Sequence, residues 1–232
     1  FDQSQLMRKE LQARQNHEAK KNSSVVRKRF GQHFLEPGWT SKLLTAIAPK
    51  SSDCFIEIGP GRGALTYSLA ARSAHVIAIE IDRNLATEIK RKQNPQITII
   101  QGDVLETDIR QLALTTRENY PQSAIRLVGN LPFNISSPIL FKIFRAQRSE
   151  QLFQDATVML QCEVADRLIA KPGSKTYGPL AVMAAVYAQG SRLLVLPSGA
   201  FRPSPKVRSA VVSLRFRSTR LDIPNLELFE KI

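Results

Sequence analysis

Four short stretches of this 232-residue chain combine residue types able to hold a nucleoside cofactor and a base beside it. The first is Glu57-Ile58-Gly59-Pro60-Gly61-Arg62-Gly63. Glycines at alternate positions let a backbone turn tightly at a strand end and approach a ligand closely. A carboxylate two places before the first glycine is of no use to phosphate but suits a cation. That points to S-adenosylmethionine (SAM), with its ammonium and sulfonium, ahead of a dinucleotide. The second is Glu80, 17 residues after Gly63. Its carboxylate has lone pairs for both hydroxyls of a ribose. On its own it fits a dinucleotide site equally well. The third is Asp103, in Gln101-Gly102-Asp103-Val104. It is placed to accept the exocyclic amine of a cofactor adenine, or else to cap a helix or close a turn.

The fourth stretch, Asn130-Leu131-Pro132-Phe133, bears on the acceptor of a methyl group. An amine on an aromatic base is a poor nucleophile, because its lone pair is delocalised into the ring. Acceptors that hold its N–H groups favour a pyramidal nitrogen. The Asn130 side-chain oxygen and the Leu131 carbonyl are suited to that. Pro132 stiffens the turn, and Phe133 offers a stacking face to a base taken out of its helix.

The elements that must position these residues alternate along the chain. Strands are predicted at 54–58, 76–80, 97–101, 125–129, 157–160, 192–195 and 210–216. Helices are predicted at 39–47, 64–71, 83–92, 136–146, 163–170 and 180–187, with Ser136 and Pro138 marking one start. The segment between 101 and 125 is looser, and 171–178 is a Pro/Gly/Ser loop. This order predicts a doubly wound α/β sheet. Ligands of such sheets bind outside the carboxyl ends of the strands, where all four stretches fall.

Net charge is +13, and it is clustered. Residues 1–35 carry eight basic and three acidic groups, and residues 191–220 carry seven basic groups and no acid. The rest is nearly neutral. Two basic ends around a neutral body suit a polyanion such as nucleic acid. Cys54 and Cys162 lie in apolar segments and read as reduced core residues, the pattern of a cytosolic protein rather than of a disulfide framework or a zinc site. No run of 18 apolar residues predicts a membrane span.

The chain resembles the rRNA adenine-N6 dimethyltransferases, and within them the bacterial KsgA type. The likeness runs from Arg27 to about Phe216. It is carried by R-K-R-F-G-Q-H-F-L (27–35), E-I-G-P-G-R-G-A-L-T (57–66) and N-L-P-F-N-I-S-S-P-I-L (130–140), and by Q-C-E-V-A-D-R-L (161–168), S-K-T-Y-G-P-L (174–180) and A-F-R-P-S-P-K-V-R-S-A-V-V (200–212). The resemblance implies a Rossmann-like, SAM-dependent methyltransferase fold. Its sheet would be mostly parallel and seven-stranded, with helices on both faces and the last strand antiparallel. It implies methylation of two adjacent adenosines near the 3′ end of small-subunit rRNA in pre-30S-type particles, by a cytoplasmic monomer using SAM and no metal. His33 and Leu35 would contact SAM at a lid over its methionine end, chiefly through backbone. Gly59 and Gly61 would admit the cofactor, Glu80 would hold its ribose and Asp103 its adenine. Asn130 would lie between cofactor and target. Phe133 and Phe201 would sandwich the target adenine. Lys206 and Arg208, close to Phe201, would hold phosphates.

The sequence departs from that pattern at His33, where the family usually has Asn, and at Phe133, where the KsgA branch usually has Tyr. The expected organisation is a basic arm over 1–29, a catalytic domain over 30–218, and over 219–232 the start of a small helical domain that is largely absent. With Phe1 in place of Met, the chain is expected to be a fragment or a processed form. Three competing readings are a large-subunit rRNA methyltransferase of the Erm type, an assembly factor whose catalysis is dispensable, and, more weakly, a nicotinamide dehydrogenase. The blocks at 161–168 and 174–180 favour KsgA over Erm.

Overall fold

The structure, a computed structural model, describes residues 32–217. The arm expected over 1–29 and the domain start expected over 219–232 lie outside the described residues. The main sheet contains β2 (Cys54–Ile58), β3 (His75–Glu80), β4 (Ile97–Gln101), β5 (Ile125–Asn130), β6 (Asp155–Gln161), β7 (Ala188–Leu196) and β9 (Ser209–Phe216). Their spatial order is β4-β3-β2-β5-β6-β9-β7. Strands β2 to β6 run parallel. The last strand, β9, is inserted antiparallel between β6 and β7. Two-residue strands β1 (Phe34–Leu35) and β8 (Phe201–Arg202) form a separate antiparallel pair.

Every residue of β2 and β3 is buried, as expected of parallel strands covered on both faces. Their side chains alternate between two cores. Ile56, Ile58, Ile77, Leu127 and Val158 point to one face. There they meet α4 (Ile109–Asn119), α5 (Ser136–Glu150), α6 (Cys162–Leu168) and α7 (Pro179–Tyr187). Phe55, Val76, Val128 and Met159 point to the other, against α1 (Pro37–Ile47) and α2 (Ala64–Ala70). Ala78 meets α3 (Arg83–Arg91) on that same side. The helices therefore lie on both faces of the sheet. None among the described residues is long and apolar enough to cross a membrane.

The chain lays down β2, β3 and β4 in one direction, then returns to place β5 on the other side of β2. That reversal is the topological switch point, where loops leaving adjacent strands diverge and open a crevice. Ile58 is paired with Gly129 there. A Cβ on Gly129 would lie 2.6 Å from the Ile58 carbonyl oxygen, so only glycine lets the two strands approach this closely before their loops part. At the opposite end of the sheet, Arg126 holds Asp53 at 2.8 Å and Asp155 at 2.9 Å and donates to the carbonyls of Ile47 and Ala48. This buried network fixes the end of α1 to β5 and β6.

Several features differ from expectation, among them one helix, one strand and one cysteine. The looser segment contains α4, capped by Asp108, whose side chain accepts from Gln111 N–H. Strand β7 begins at Ala188, not 192, because backbone pairing to β9 carries Gln189, Gly190 and Ser191 despite their polarity. Cys162 is half-buried at the start of α6, whereas Cys54 is fully buried, and both are free thiols.

Candidate active site

The glycine loop runs from the end of β2 into α2, with Gly59, Gly61 and Gly63 all at positive φ. Gly61 has a second reason to be glycine: a Cβ there would stand 2.9 Å from the Phe34 ring. Its N–H donates to Glu80 Oε2 at 2.9 Å, and Asp82 N–H donates to Oε1, also at 2.9 Å. Glu80, 3 % exposed, thus uses one lone pair of each oxygen to tie the glycine loop to the end of β3. Burial pushes its pKa up, and these two N–H donors pull the other way.

Glu57 is 2 % exposed and lines the cavity described below. Its Oε2 is buried without a hydrogen-bond partner. Burial, and more weakly the Glu80 carboxylate, push its pKa up to about 7. The Thr66 hydroxyl lies close enough to oppose that shift without meeting hydrogen-bond geometry. An unpartnered buried carboxylate is costly, so this one is poised to receive a cation.

The segment 33–36 forms a strap beside the glycine loop. Phe34 and Leu35 pair with Arg202 and Phe201. Glu36 N–H donates to the Ala200 carbonyl, and the Arg202 guanidinium lies 3.6 Å from the Glu36 carboxylate. The Arg62 guanidinium covers the Phe34 ring at 4.9 Å. Between strap and loop is a cavity of about 350 Å³, whose walls include His33, Leu35, Glu57, Gly59, Gly61 and Asn130.

Asn130 ends β5 at the wall of this cavity. Its Nδ2 donates to the His33 carbonyl at 2.8 Å. A carbonyl only accepts, so this bond orients the amide and leaves Oδ1 to receive an N–H from elsewhere. The next residue, Leu131, is buried, and its N–H donates to the Met159 carbonyl at 3.1 Å. The turn closes with Ile135 N–H donating to the Pro132 carbonyl at 3.1 Å. Phe133 is half-buried and stacks on His33, with ring centroids 5.4 Å apart.

Five expected residues, His33, Leu35, Gly59, Gly61 and Asn130, therefore share one cavity, and Glu80 is joined to it through Gly61 N–H. Asp103 lies at the end of β4, outside that wall. Its Oδ1 accepts Leu105 N–H at 2.8 Å, so it does close a turn, the alternative left open by its position in the sequence. Phe201 lies outside that cavity wall as well. It is 0 % exposed and packs among Leu43, Ile47, Val128 and Val211. Its ring packs here as a core residue, at the start of the two-residue strand paired with the strap. Lys206 and Arg208 are exposed on the segment leading into β9. Phe34, Arg62 and Met159 were not singled out from the sequence. Only the R-K-R-F-G-Q-H-F-L block and the loop arginine hinted at the first two.

The donor set fits SAM. Glu57 offers an unpartnered carboxylate to the ammonium, the glycine loop offers a backbone free of side chains, and strand ends β3 and β4 carry further carboxylates for hydroxyl and amine donors.

A model of the family described as ribosomal RNA adenine dimethylase matches residues 23–232. The ribosomal RNA small subunit methyltransferase A of Hahella chejuensis is 44% identical over 192 residues, covering 82% of this chain and 67% of that protein. The protein of the same name in Xanthomonas euvesicatoria is 44% identical over 195 residues, covering 83% and 71%. Among solved structures, a dimethyladenosine transferase from Plasmodium falciparum superposes with a TM-score of 0.67 at 30% identity, covering 80% of this chain and 64% of that one. The 23S rRNA methyltransferase ErmE gives a TM-score of 0.68 at 27% identity, covering 85% and 76%. The chain thus spans about two thirds of the length of several of these relatives.

Proposed function

Because the chain belongs to the ribosomal RNA adenine dimethylase family and has the fold of SAM-dependent methyltransferases, we propose that it methylates the N6 amine of adenosine in small-subunit rRNA. The finer reading is two adjacent adenosines near the 3′ end, each dimethylated, in an immature small-subunit particle, by a monomer in the cytoplasm. The 44% identity to small-subunit enzymes favours this substrate over the large-subunit one named for ErmE.

When bound, SAM supplies a methyl group on a sulfonium, a good leaving group that needs no covalent enzyme intermediate. The chain's own residues bind and orient. Glu57 takes the ammonium. Backbone at Gly59 and Gly61, with His33 and Leu35 from the strap, encloses the methionine end. Glu80 keeps free lone pairs for the ribose hydroxyls, and Asp103 has a second oxygen for the adenine amine. Asn130 Oδ1 accepts one N–H of the target amine and the Leu131 carbonyl the other. Together they hold the nitrogen lone pair toward the methyl. Phe133 gives the base a stacking face, and solvent takes the released proton. Catalysis is then mostly positioning.

One observation carries this reading: Asn130 is locked by the His33 carbonyl with Oδ1 free, on the wall of a cavity that also holds an unpartnered carboxylate. The test is methyl transfer from labelled SAM to unmethylated small-subunit particles, followed by mapping of the modified nucleotide. Label is expected on N6 of adenosine, and Asn130→Ala should lose at least about 100-fold in rate while still binding RNA. Label confined to large-subunit rRNA would overturn the substrate. An Asn130→Ala protein as fast as wild type would overturn the mechanism, and equal cellular phenotypes for wild type and an inactive Asn130→Ala protein would favour an assembly role in which catalysis is dispensable.

A further inference from the structure

A hydroxyl in a helix commonly turns back to the carbonyl four residues earlier. Thr45, Ser68, Thr87 and Thr116 all do so in this protein. Thr66 does not. It stands in the first turn of α2, behind the cap residue Gly63, so four places back is Arg62, before the helix begins. Its side chain is 0 % exposed, and its Oγ1 is buried without a hydrogen-bond partner. Glu57 Oε2, at the end of β2, is buried and unpartnered in the same way. The Thr66 hydroxyl is close enough to draw the Glu57 carboxyl down against its burial. A lone donor and a lone acceptor thus lie side by side, and each is costly to leave unpaired.

We propose that Thr66 is a positioning residue of the cofactor site: its hydroxyl donates to Glu57 Oε2 when the carboxylate is charged, and so holds that carboxylate ready for the SAM ammonium. The inference rests on the SAM reading above. Oε2 is sealed from water and needs a donor from within the protein. No other group around it is so placed. Glu80, from β3, is an acid and opposes the charge. The remaining titratable groups on the cavity wall are His33, Glu36, Arg62 and Arg202. Each has its own partner: Arg202 lies 3.6 Å from Glu36, His33 Nδ1 is 2.7 Å from the Pro203 carbonyl oxygen, and Arg62 covers the Phe34 ring.

Thr66→Val keeps the shape and loses the hydroxyl, and Thr66→Ser keeps the hydroxyl. SAM affinity is measured by titration calorimetry from pH 6 to 9 for both, for Glu57→Gln, and for Thr66→Val combined with Glu57→Gln. A hydrogen bond to a charged group is worth about 10- to 100-fold, so the midpoint of the affinity–pH curve should rise by about one to two pH units in the Val protein. At pH 8 that weakens SAM by about 2- to 10-fold, and the deficit should narrow as pH rises. Ser should restore the wild-type midpoint. With Gln at 57, Val should cost less than about 2-fold. Without SAM, the Val protein should be at least as stable as wild type at pH 5, and its Tm should go on falling above pH 7, where that of wild type levels off. An unchanged midpoint in Val, with SAM weakened in Glu57→Gln, would overturn the inference and leave the ammonium reading standing. An equal loss at every pH that persists with Gln at 57 would overturn it too, since Thr66 would then act on the fold or on SAM itself. A Glu57→Gln protein that binds SAM as tightly as wild type would refute the ammonium reading and this inference with it.

Discussion

Replacing Glu57 by Gln tests the cofactor end of the site without assuming anything about RNA. In the ligand-free protein the carboxyl titrates at about 7, raised from the ordinary 4.5 chiefly by burial. At about 1.4 kcal/mol per pH unit, holding the charge costs the folded protein roughly 3 kcal/mol. The sign follows from the direction of the shift. The folded protein binds this proton more tightly than the unfolded chain does. Its contribution to stability is therefore fully present below the ordinary carboxylate range and is lost as pH rises through 7. Gln, a neutral isostere, has no such dependence. Without SAM, Glu57→Gln should match wild type near pH 4.5 and exceed it at pH 8, by up to the same roughly 3 kcal/mol.

SAM binding should move the opposite way. Its ammonium requires the ionised carboxylate, which with a pKa of about 7 makes up about a tenth of the wild-type protein at pH 6 and about nine tenths at pH 8. Wild-type affinity should thus rise about tenfold between those values. Glu57→Gln should bind about 10- to 100-fold more weakly at pH 8, having lost a charge-assisted hydrogen bond, and should show a much flatter pH dependence. Scanning calorimetry of the free protein and titration calorimetry with SAM measure the two effects. Equal stability–pH slopes for the two proteins would show that Glu57 is not the titrating group. Equal SAM affinity at pH 8 would show that it is not the ammonium's partner.

Two further outcomes follow from burial. Arg126→Met strands the Asp53 and Asp155 carboxylates without their counter-charge. It should cost about 3–5 kcal/mol, a fall in Tm on the order of 10 °C by calorimetry. SAM affinity below the transition should be kept, since the network lies at the opposite end of the sheet. Phe201→Leu should cost about 1–2 kcal/mol as a core substitution, read as a small fall in Tm. A hundredfold loss of transfer at unchanged stability would show that this ring meets the base.

How far the site could be read from the sequence depended on how local its causes are. Strands β2 and β4 begin and end where apolar runs meet Gly, Pro or Asp, and their bounds are those expected. The helix α4 carried a legible signal, Asp108 three places before Gln111 with apolar positions at Ile109, Leu112 and Ala113. Its many polar residues hid it, because only one stripe faces the core. Glu57 could be recognised as an acid awaiting a cation, since its place beside the glycines is fixed by covalent spacing. The burial of Phe201 could not be read, because nothing in A-F-R-P-S-P says which side of a two-residue strand faces inward. The His33–Phe133 contact joins residues 100 positions apart in the chain. It exists only because the strap is paired with β8 and anchored to the end of β5.

That anchoring joins the cavity and the segment before β9 through one element. The strap reaches the cofactor cavity through Phe34 and Leu35, and Asn130 through the His33 carbonyl. It reaches the segment before β9 through the β1–β8 pair, the Glu36–Ala200 bond and the His33–Pro203 bond. A few residues further along that segment stand the exposed cations Lys206 and Arg208. Pro203 lies on a chain that is exposed at Arg202, Pro203 and Ser204, whereas Asn130 ends a strand paired on both sides by β2 and β6. The strap is thus tied to the sheet through Asn130 and to an exposed basic segment through Pro203.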